Sequence, residues 1–474
     1  MNHTNVDSLS HSSSNSSSGS SRREMLRSAS AGFGLMAFAG MCQQASAATT
    51  ANVLAPKPAH FTPRAKRIVF LHMSGAPSHV DTFDYKPKLQ ADDGKQVAGR
   101  GRFGRLLGSP FDFKQHGDSG LWISNLFPEV AKHADELCLL HGLHTDQPAH
   151  PQATMQMHTG SSQFVRPSLG AWTLYGLGTE NENLPGFICI SPPRAAVNYG
   201  NGFLPALYQG TPIGGASRAG GRGAGGNLEI ANIGNPRLKR SKQKLQLNLV
   251  QSLNDAKLQD GRDDSHVEAV IAAHELAFRM QDVVPEVMDT NSESKEVQAK
   301  YGIGERSTEG FGRQCLLARR FLESGVRFVE IVHGGWDQHT ELRDKHGSQA
   351  MACDRPIAGL LEDLRDRDLL KDTLVLWGGE FGRTPTAQGT DGRNHNNKGF
   401  TMWMAGGGVK NGYSYGATDE YGAEAVEGKM HIHDLHATIL HILGMDHTKL
   451  TYRYAGRDFR LTDVHGNVAK EILA

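Results

Sequence analysis

The sequence predicts an α/β fold in which a mostly parallel central sheet carries helices on both faces. Three observations lead to this prediction. Six short apolar runs recur along the chain, helical patterns separate them, and polar residues gather where several of the runs end. Continuous apolar strands that alternate with helices are typical of parallel sheets buried on both sides.

The predicted elements follow in chain order, and one long stretch interrupts them. The predicted strands are residues 67–73, 137–142, 187–190, 326–332, 373–377 and 400–404, and the predicted helices are residues 150–160, 314–323, 347–366 and 434–443. Between them, residues 199–226 are rich in glycine and residues 245–282 form a charged helical pattern. We expect an insertion at about 199–304, a loop followed by a helical hairpin. The loop is either a lid or a surface excursion.

The N-terminal segment predicts export. Residues 1–20 are mostly Ser, Asn and His, which cannot form a core, and Arg22 and Arg23 precede a weakly apolar run at 31–41. Ala45, Ser46 and Ala47 supply a small-residue cleavage pattern. Residues 1–48 are therefore predicted to be a disordered N-terminus and a twin-arginine signal peptide, with the export machinery as a partner. A membrane anchor would need roughly 20 apolar residues, so we expect no membrane association after cleavage and a periplasmic or secreted domain at 64–474.

Composition narrows the classes of function. The chain has 50 basic and 50 acidic residues, so the basic surface that nucleic-acid binding requires is not expected. Five cysteines show no CxxC spacing, and a disulfide framework is not indicated. Cys138 and Cys189 lie in apolar runs and are expected in the core.

The candidate site lies at the predicted strand ends, where ligands bind in parallel sheets. The polar residues there are His72, His333, Asp337, His339, Glu380 and His395. Imidazoles and carboxylates on rigid supports are ligands for zinc or manganese. We expect Asp337, His339 and His395 to share one metal, with Glu380 close by as a fourth ligand or as a base. Arg383 and Arg393 could form a fork for a sulfate or phosphate oxyanion.

Three further polar clusters are candidate sites or polar loop rims. One cluster follows the second strand and ends in a helix whose start could bind an anion, and another follows the first strand, where His79 and Asp81 would share a face if extended. The cluster after the second strand comprises His141, His144, Asp146, His150 and His158. The cluster after the first strand comprises Ser74, Ser78, His79, Asp81 and Asp84. The third comprises His431, His433, Asp434 and His436, and there Asp434 is interpreted first as a helix N-cap.

The chain resembles the domain-of-unknown-function family 1501 at four segments. These are MSGAPSHVDTFD at 73–84, RPSLG at 166–170, WGGEFGRTP at 377–385 and DLHAT at 434–438. That family is exported and is similar in outline to the alkaline phosphatase and sulfatase superfamily. The resemblance implies an alkaline phosphatase/sulfatase-like fold over nearly the whole mature chain.

The chain departs from the superfamily at several positions. Ser74 and Gly75 stand where the superfamily has an acidic metal ligand, and His150 stands where it has a Ser, Thr or Cys nucleophile. His150 would be a metal ligand, a nucleophile that forms a phosphohistidine-like intermediate, or a sign that the catalytic activity of the superfamily has been lost. The Asp-His dipeptide of the superfamily becomes Glu380-Phe381.

Two functions are consistent with this resemblance, and a transferase is a third that no feature favours. The first is an exported, metal-dependent hydrolase of sulfate or phosphate esters, using zinc, manganese or calcium. His150, Glu380, Arg383 and Arg393 would be its catalytic residues. The alternative is a non-catalytic sulfatase-fold protein that binds sulfated or anionic glycans, which the missing nucleophile favours. The substrate in the first case would be a small-molecule or glycan ester.

Overall fold

The computed structural model of the chain describes residues 53–97, 104–193, 195–214, 228–230, 233–234, 237–258 and 265–474. The predicted signal region and residues 215–227 of the glycine-rich stretch lie outside the described residues, so neither prediction is examined by the structure. Residues 50–234 and 265–474 form the main compact unit, whereas residues 235–264 belong to a second unit that contributes one described helix.

The main unit contains a nine-stranded central sheet and four two-stranded sheets among its described residues. The strands are Arg67–Ser74 (β1), Phe113–His116 (β2), Leu121–Ser124 (β3), Leu137–His144 (β4), Phe187–Ile190 (β5), Thr211–Ile213 (β6), Phe328–Gly334 (β7), Thr373–Gly378 (β8), Gly382–Ala387 (β9), Arg393–Asn396 (β10), Phe400–Gly406 (β11), Tyr413–Tyr415 (β12), Ala417–Thr418 (β13), Ala425–Glu427 (β14), Met430–His431 (β15), Tyr452–Tyr454 (β16) and Arg457–Phe459 (β17). The sheet order is β12-β4-β11-β8-β1-β7-β5-β6, and β15 also pairs with β4. Among the described strands of this nine-stranded sheet, only β11 runs antiparallel to its neighbours.

Helices connect the strands. The α-helices are His79–Thr82 (α1), Pro87–Ala91 (α2), His150–Thr159 (α3), Leu169–Leu177 (α4), Arg240–Leu258 (α5), Ser265–Met288 (α6), Lys295–Lys300 (α7), Glu309–Glu323 (α8), Leu342–Asp366 (α9) and Ile432–Ile442 (α10). Short 3-10 helices span Val130–Glu136, Ala206–Tyr208, Thr290–Ser292, Leu370–Asp372 and Lys470–Ile472. Within the described ranges, no helix is both long enough and apolar enough to cross a membrane.

The α/β prediction is confirmed, because all six predicted strands are strands of the central sheet. Alternate residues of β1 enter two different cores: Val69 and Leu71 on one face, Ile68 and Phe70 on the other. Burying both faces explains why these strands are apolar throughout. Part of the predicted insertion is also sheet, since β6 pairs with β5. The insertion boundaries otherwise remain a prediction.

Two glycines allow the loops at the carboxyl edge of the sheet to pack closely. Gly75 follows β1 with a φ of +100°, and a Cβ atom there would lie 2.8 Å from the backbone N of Asp337. Gly392, before β10, would place a Cβ 1.9 Å from the carbonyl O of His339. Both positions need glycine because backbone meets backbone. The loops that carry Asp337 and His339 are therefore held against those after β1 and before β10.

Candidate functional site

Four side chains from three segments of the chain meet at the carboxyl edge of the sheet. Asp337 and His339 follow β7, His395 lies in the β9–β10 hairpin, and His150 begins α3. Asp337 Oδ1 lies 3.0 Å from His339 Nε2 and 3.3 Å from His395 Nε2. The structure thus places both predicted histidines beside Asp337, with His339 in contact with the carboxylate on the outer side of the group that His395 joins.

His150 joins this group, a position consistent with a metal ligand, one of the three roles that the sequence left open for it. Its Nε2 atom lies 3.2 Å from Asp337 Oδ1. Ligand atoms of His150, Asp337 and His395 all lie within 4.8 Å of one another. Ligands bound to one zinc ion at roughly 2.0–2.2 Å are separated by about this much or less. The side chains are partly exposed, from 19% for His395 to 42% for Asp337, so a small molecule can reach them.

The outer nitrogen of each imidazole is already engaged. Nδ1–H of His150 donates to Glu380 Oε1 at 2.6 Å, that of His395 to the Pro148 carbonyl at 2.6 Å, and that of His339 to Gln388 Oε1 at 2.6 Å. A neutral imidazole then presents a lone pair at Nε2. Three such nitrogens lie 3.0–3.3 Å from one carboxylate oxygen, which is repulsive unless positive charge lies among them. This arrangement matches the outer hydrogen bonds that orient metal-bound histidines.

The charges around the site favour a bound cation. Burial raises the pKa of the Asp337 carboxyl, but hydrogen bonds from His150, His395 and Arg383 outweigh it and hold that pKa well below its usual range. Burial lowers the pKa of His150, whereas the two carboxylates that contact it raise that pKa to about 9. The carboxylate is therefore ionised, and the field at His150 stabilises positive charge.

Glu380 lies behind His150 rather than in the ligand group. Its side chain is 1% exposed. Oε1 accepts from His150 Nδ1 and, at 3.1 Å, from the backbone N–H of Gly75. This placement suits an orienting carboxylate. The geometry thus gives His150 the position that the sequence suggested for Glu380.

The two arginines do not form the predicted oxyanion fork. Arg393 is fully buried and forms a bidentate ion pair with Asp81, at 2.6 and 2.9 Å. Arg383 is also buried, and it donates to Asp337 Oδ1 at 2.7 Å and to the Ala76 carbonyl at 3.0 Å. A guanidinium held by interior acceptors is not available to a substrate. Arg393 joins α1 to the hairpin, and Arg383 orients Asp337.

The clusters after β1 and β4 separate into different surroundings. His79 and Asp81 lie in the short helix α1, not in an extended segment, so they do not share a face as expected. His79 Nε2–H donates to the Gly422 carbonyl at 2.8 Å, and Asp84 pairs with Lys86 at 2.9 Å. His141 lies in β4 and contacts Thr401 at 3.0 Å. These residues support the fold.

The segment 431–436 forms a helix start beside an open pocket. His431, not Asp434, is the N-cap of α10, and its Nδ1 atom accepts from the His433 backbone N–H at 3.2 Å. Asp434 completes the capping box by accepting from the His431 backbone N–H at 2.9 Å. His436 is buried and donates to the Met157 carbonyl. The pocket, of about 540 Å³, also includes Asp146.

A buried polar group under α3 was missed by sequence reasoning. It consists of His72, His158, Glu330 and Asn198, each no more than 2% exposed. Ligand atoms of its two histidines and its glutamate lie within 4.8 Å of one another. The available signal was Glu330, a carboxylate in the middle of an apolar strand, because buried carboxylates need partners. Asn198 gave no such signal, since it lies in a loop far from the others in sequence.

Comparison with solved structures finds similar but distant proteins. PsFucS1 sulfatase from Pseudoalteromonas sp. is 13% identical, with 81% of this chain and 68% of that chain covered and a TM-score of 0.33. An alkaline phosphatase superfamily protein from Vibrio parahaemolyticus is 10% identical, with coverages of 86% and 73% and a TM-score of 0.34. The C-terminal periplasmic domain of EcEptC from Escherichia coli, in complex with Zn, is 10% identical, with coverages of 82% and 87% and a TM-score of 0.30. Likenesses this weak assign no activity to the chain.

The family assignment rests on the sequence match instead. No curated protein matches the chain. A family model does match it, over residues 65–473, which is nearly all of the predicted mature domain. The chain belongs to the family described as "Protein of unknown function (DUF1501)".

Proposed function

We propose that this protein is an exported, metal-dependent hydrolase of sulfate or phosphate esters. One observation carries the proposal: ligand atoms of His150, Asp337 and His395 lie within 4.8 Å of one another, His339 Nε2 lies 3.0 Å from Asp337 Oδ1, and an oxygen atom holds the Nδ1–H of each imidazole. Three nitrogens and one carboxylate are typical ligands of zinc, and also suit manganese. Calcium prefers oxygen ligands and fits this group less well.

The residues of the site have separate roles in this proposal. His150, Asp337, His339 and His395 would hold the metal, which would polarise the ester and offset the charge that develops on its oxygens. Glu380 fixes the His150 ring, and Arg383 fixes the Asp337 carboxylate. The start of α3 lies at His150, so the positive end of the helix dipole faces the anionic part of a substrate.

Metal analysis of protein purified without a histidine tag tests the site. We expect replacement of His395 by Ala to remove one equivalent of bound zinc or manganese per chain. Hydrolysis of 4-nitrophenyl sulfate or phosphate should fall with it. His441→Ala is the matched control, because His441 is a half-buried histidine that packs on Phe61, away from the site. Full metal content in the His395 variant would mean that the site has been wrongly placed.

A binding protein without turnover is the second candidate. The observation in its favour is that His150, tied to Glu380, occupies the start of α3, where the superfamily has a nucleophile. Metal-loaded protein that binds a sulfated oligosaccharide but hydrolyses neither nitrophenyl ester nor that oligosaccharide would identify a binder. Turnover that depends on His395 would identify an enzyme.

Export is part of the proposal and can be tested separately. It is supported by the paired arginines, the apolar run and the Ala-Ser-Ala pattern near the N-terminus. Changing Arg22 and Arg23 together to Lys should leave the protein in the cytoplasm with its N-terminal segment uncleaved. Normal export of this double variant would contradict a twin-arginine signal.

A further inference from the structure

We propose that the group of His72, His158, Glu330 and Asn198 is a second metal site, closed and structural, beneath the proposed catalytic one. Its residues come from β1, from the last turn of α3, from β7 and from the segment after β5. Unlike the residues of the first site, they lie inside the fold and not at its edge. Each side chain is at most 2% exposed.

The polar atoms of the four side chains converge, and the ligand atoms of His72, His158 and Glu330 all lie within 4.8 Å of one another. Glu330 Oε1 lies 3.0 Å from His158 Nε2 and 3.8 Å from His72 Nδ1. Asn198 Nδ2 lies 3.0 Å from His158 Nε2 and 3.4 Å from His72 Nδ1, and it donates to Glu330 Oε1 at 2.5 Å. Tetrahedral ligands of zinc are separated by roughly 3.3 Å. Rotating the Asn198 amide by half a turn places its oxygen at this position.

One of the two histidines has its tautomer set by a hydrogen bond, and the other places a nitrogen near the same point. His158 Nδ1–H donates to the Thr154 carbonyl at 2.8 Å, which leaves Nε2 facing Glu330. His72 Nε2 lies 3.5 Å from Glu380 Oε2 and has no hydrogen-bond partner among the described residues, while its Nδ1 lies on the side of Glu330. His158 therefore turns its Nε2 lone pair toward the Glu330 carboxylate, as an oriented metal-binding histidine does.

Buried polar atoms without hydrogen-bond partners are a second, independent indication of a metal in this group. Among the described residues, neither Glu330 Oε2 nor Asn198 Oδ1 has a hydrogen-bond partner, and both are buried. A buried imidazolium could pair with Glu330 Oε1 in place of a metal, but it would leave both of those atoms unsatisfied, at a cost of about 1–3 kcal/mol each. A metal accounts for Glu330 Oε2, since a carboxylate can bind one ion through both of its oxygens.

The position of the group explains what a metal there would do. His158 lies in the last turn of α3, and His150 in the first turn of the same helix. A closed site would fix the helix to β1 and β7 and so hold His150 at the catalytic site. Glu380 joins the two sites, because Oε1 contacts His150 at 2.6 Å and Oε2 faces His72 at 3.5 Å.

The test counts metals in the mature full-length chain, without a tag, after dialysis against zinc. We expect two equivalents in the wild type and one in His158→Gln and Asn198→Leu. Asn198→Asp should keep both, because it retains an oxygen ligand. His436→Gln is the matched control, since His436 is equally buried and, among the described residues, hydrogen-bonds to the Met157 carbonyl alone. Circular dichroism checks that each variant is folded.

The outcomes separate the two sites. One equivalent in the wild type, lost in His395→Ala and kept in His158→Gln, would overturn the buried site and leave the proposed function standing. One equivalent lost in His158→Gln and kept in His395→Ala would support the buried site and overturn the metal site of the proposed function. If the buried variants do not fold, anomalous scattering from zinc-soaked wild-type crystals decides. A peak between His158 and Glu330 supports the proposal, and its absence overturns it.

Discussion

Asp337 shows how one side chain is prepared for a cation by the groups around it. Arg383 donates to its Oδ1 atom, and three imidazoles face the same atom. The contacts that lower the pKa of this carboxyl are stronger than the burial that raises it. The oxygen therefore stays charged, while the partial exposure of the side chain leaves the site open on one side.

The sequence could identify part of this site because of where its residues fall. Asp337, His339 and His395 follow or flank strands, and strand ends converge in a parallel sheet. The partners of Arg383 and Arg393 could not be predicted in the same way. Whether Arg393 faces solvent or Asp81 depends on how α1 packs against the β9–β10 hairpin, which no local pattern encodes.

At the scale of residues, Glu380→Gln tests the support of His150. We expect the affinity for the first metal to fall about 10–100-fold, because outer carboxylates orient metal-bound histidines and raise their basicity. Excess metal should restore full occupancy, since every ligand remains. Titration of the metal-free protein with cobalt measures this. Glu341→Gln is the control, because the Glu341 carboxylate pairs with Lys345 and both side chains are exposed. An unchanged dissociation constant would show that Glu380 does not act on the metal.

At the scale of elements, α3 carries a residue of each proposed site and ends at a constrained glycine. Gly160 has a φ of +67°, and a Cβ atom there would lie 2.1 Å from the Leu461 carbonyl O. The helix end is therefore fixed against the C-terminal segment. The sequence indicated this helix and its terminal glycine. It did not indicate the contact with Leu461, which joins residues about three hundred positions apart.

Two glycine-to-alanine variants separate backbone strain from crowding at this helix end. Gly389 has a φ of +65°, nearly that of Gly160, but open space surrounds its Cβ position. Gly389→Ala should therefore cost about 1–2 kcal/mol, the strain of a left-handed residue alone. Gly160→Ala should cost roughly 1–3 kcal/mol more, because the new methyl group has no room. Urea unfolding measures both. Equal costs would mean that α3 can shift without penalty.

At the scale of the whole molecule, several buried histidines depend on staying neutral. His346 donates from Nδ1 to Gln338 Oε1 at 2.6 Å and accepts at Nε2 from the Ser78 N–H at 3.1 Å, so neither nitrogen can take a further proton. Burial lowers the pKa of His346 to about 3, that of His436 to about 3 and that of His333 to about 4. These three side chains link different parts of the domain.

Their pKa values predict that the fold loses stability in weak acid. Each pKa is lower in the folded chain than the value near 6.5 expected when unfolded, so the unfolded chain binds protons that the folded chain cannot. The stabilisation is thus complete above about pH 6.5 and is lost as the pH falls toward about 4, at up to roughly 1.4 kcal/mol per pH unit for each histidine. Urea unfolding across this range measures the slope. His346→Gln should be less stable at neutral pH yet show a slope shallower by about 1.4 kcal/mol per pH unit, because one titrating group is gone. A slope equal to that of the wild type would mean that His346 is protonated in the folded chain, which its two hydrogen bonds forbid.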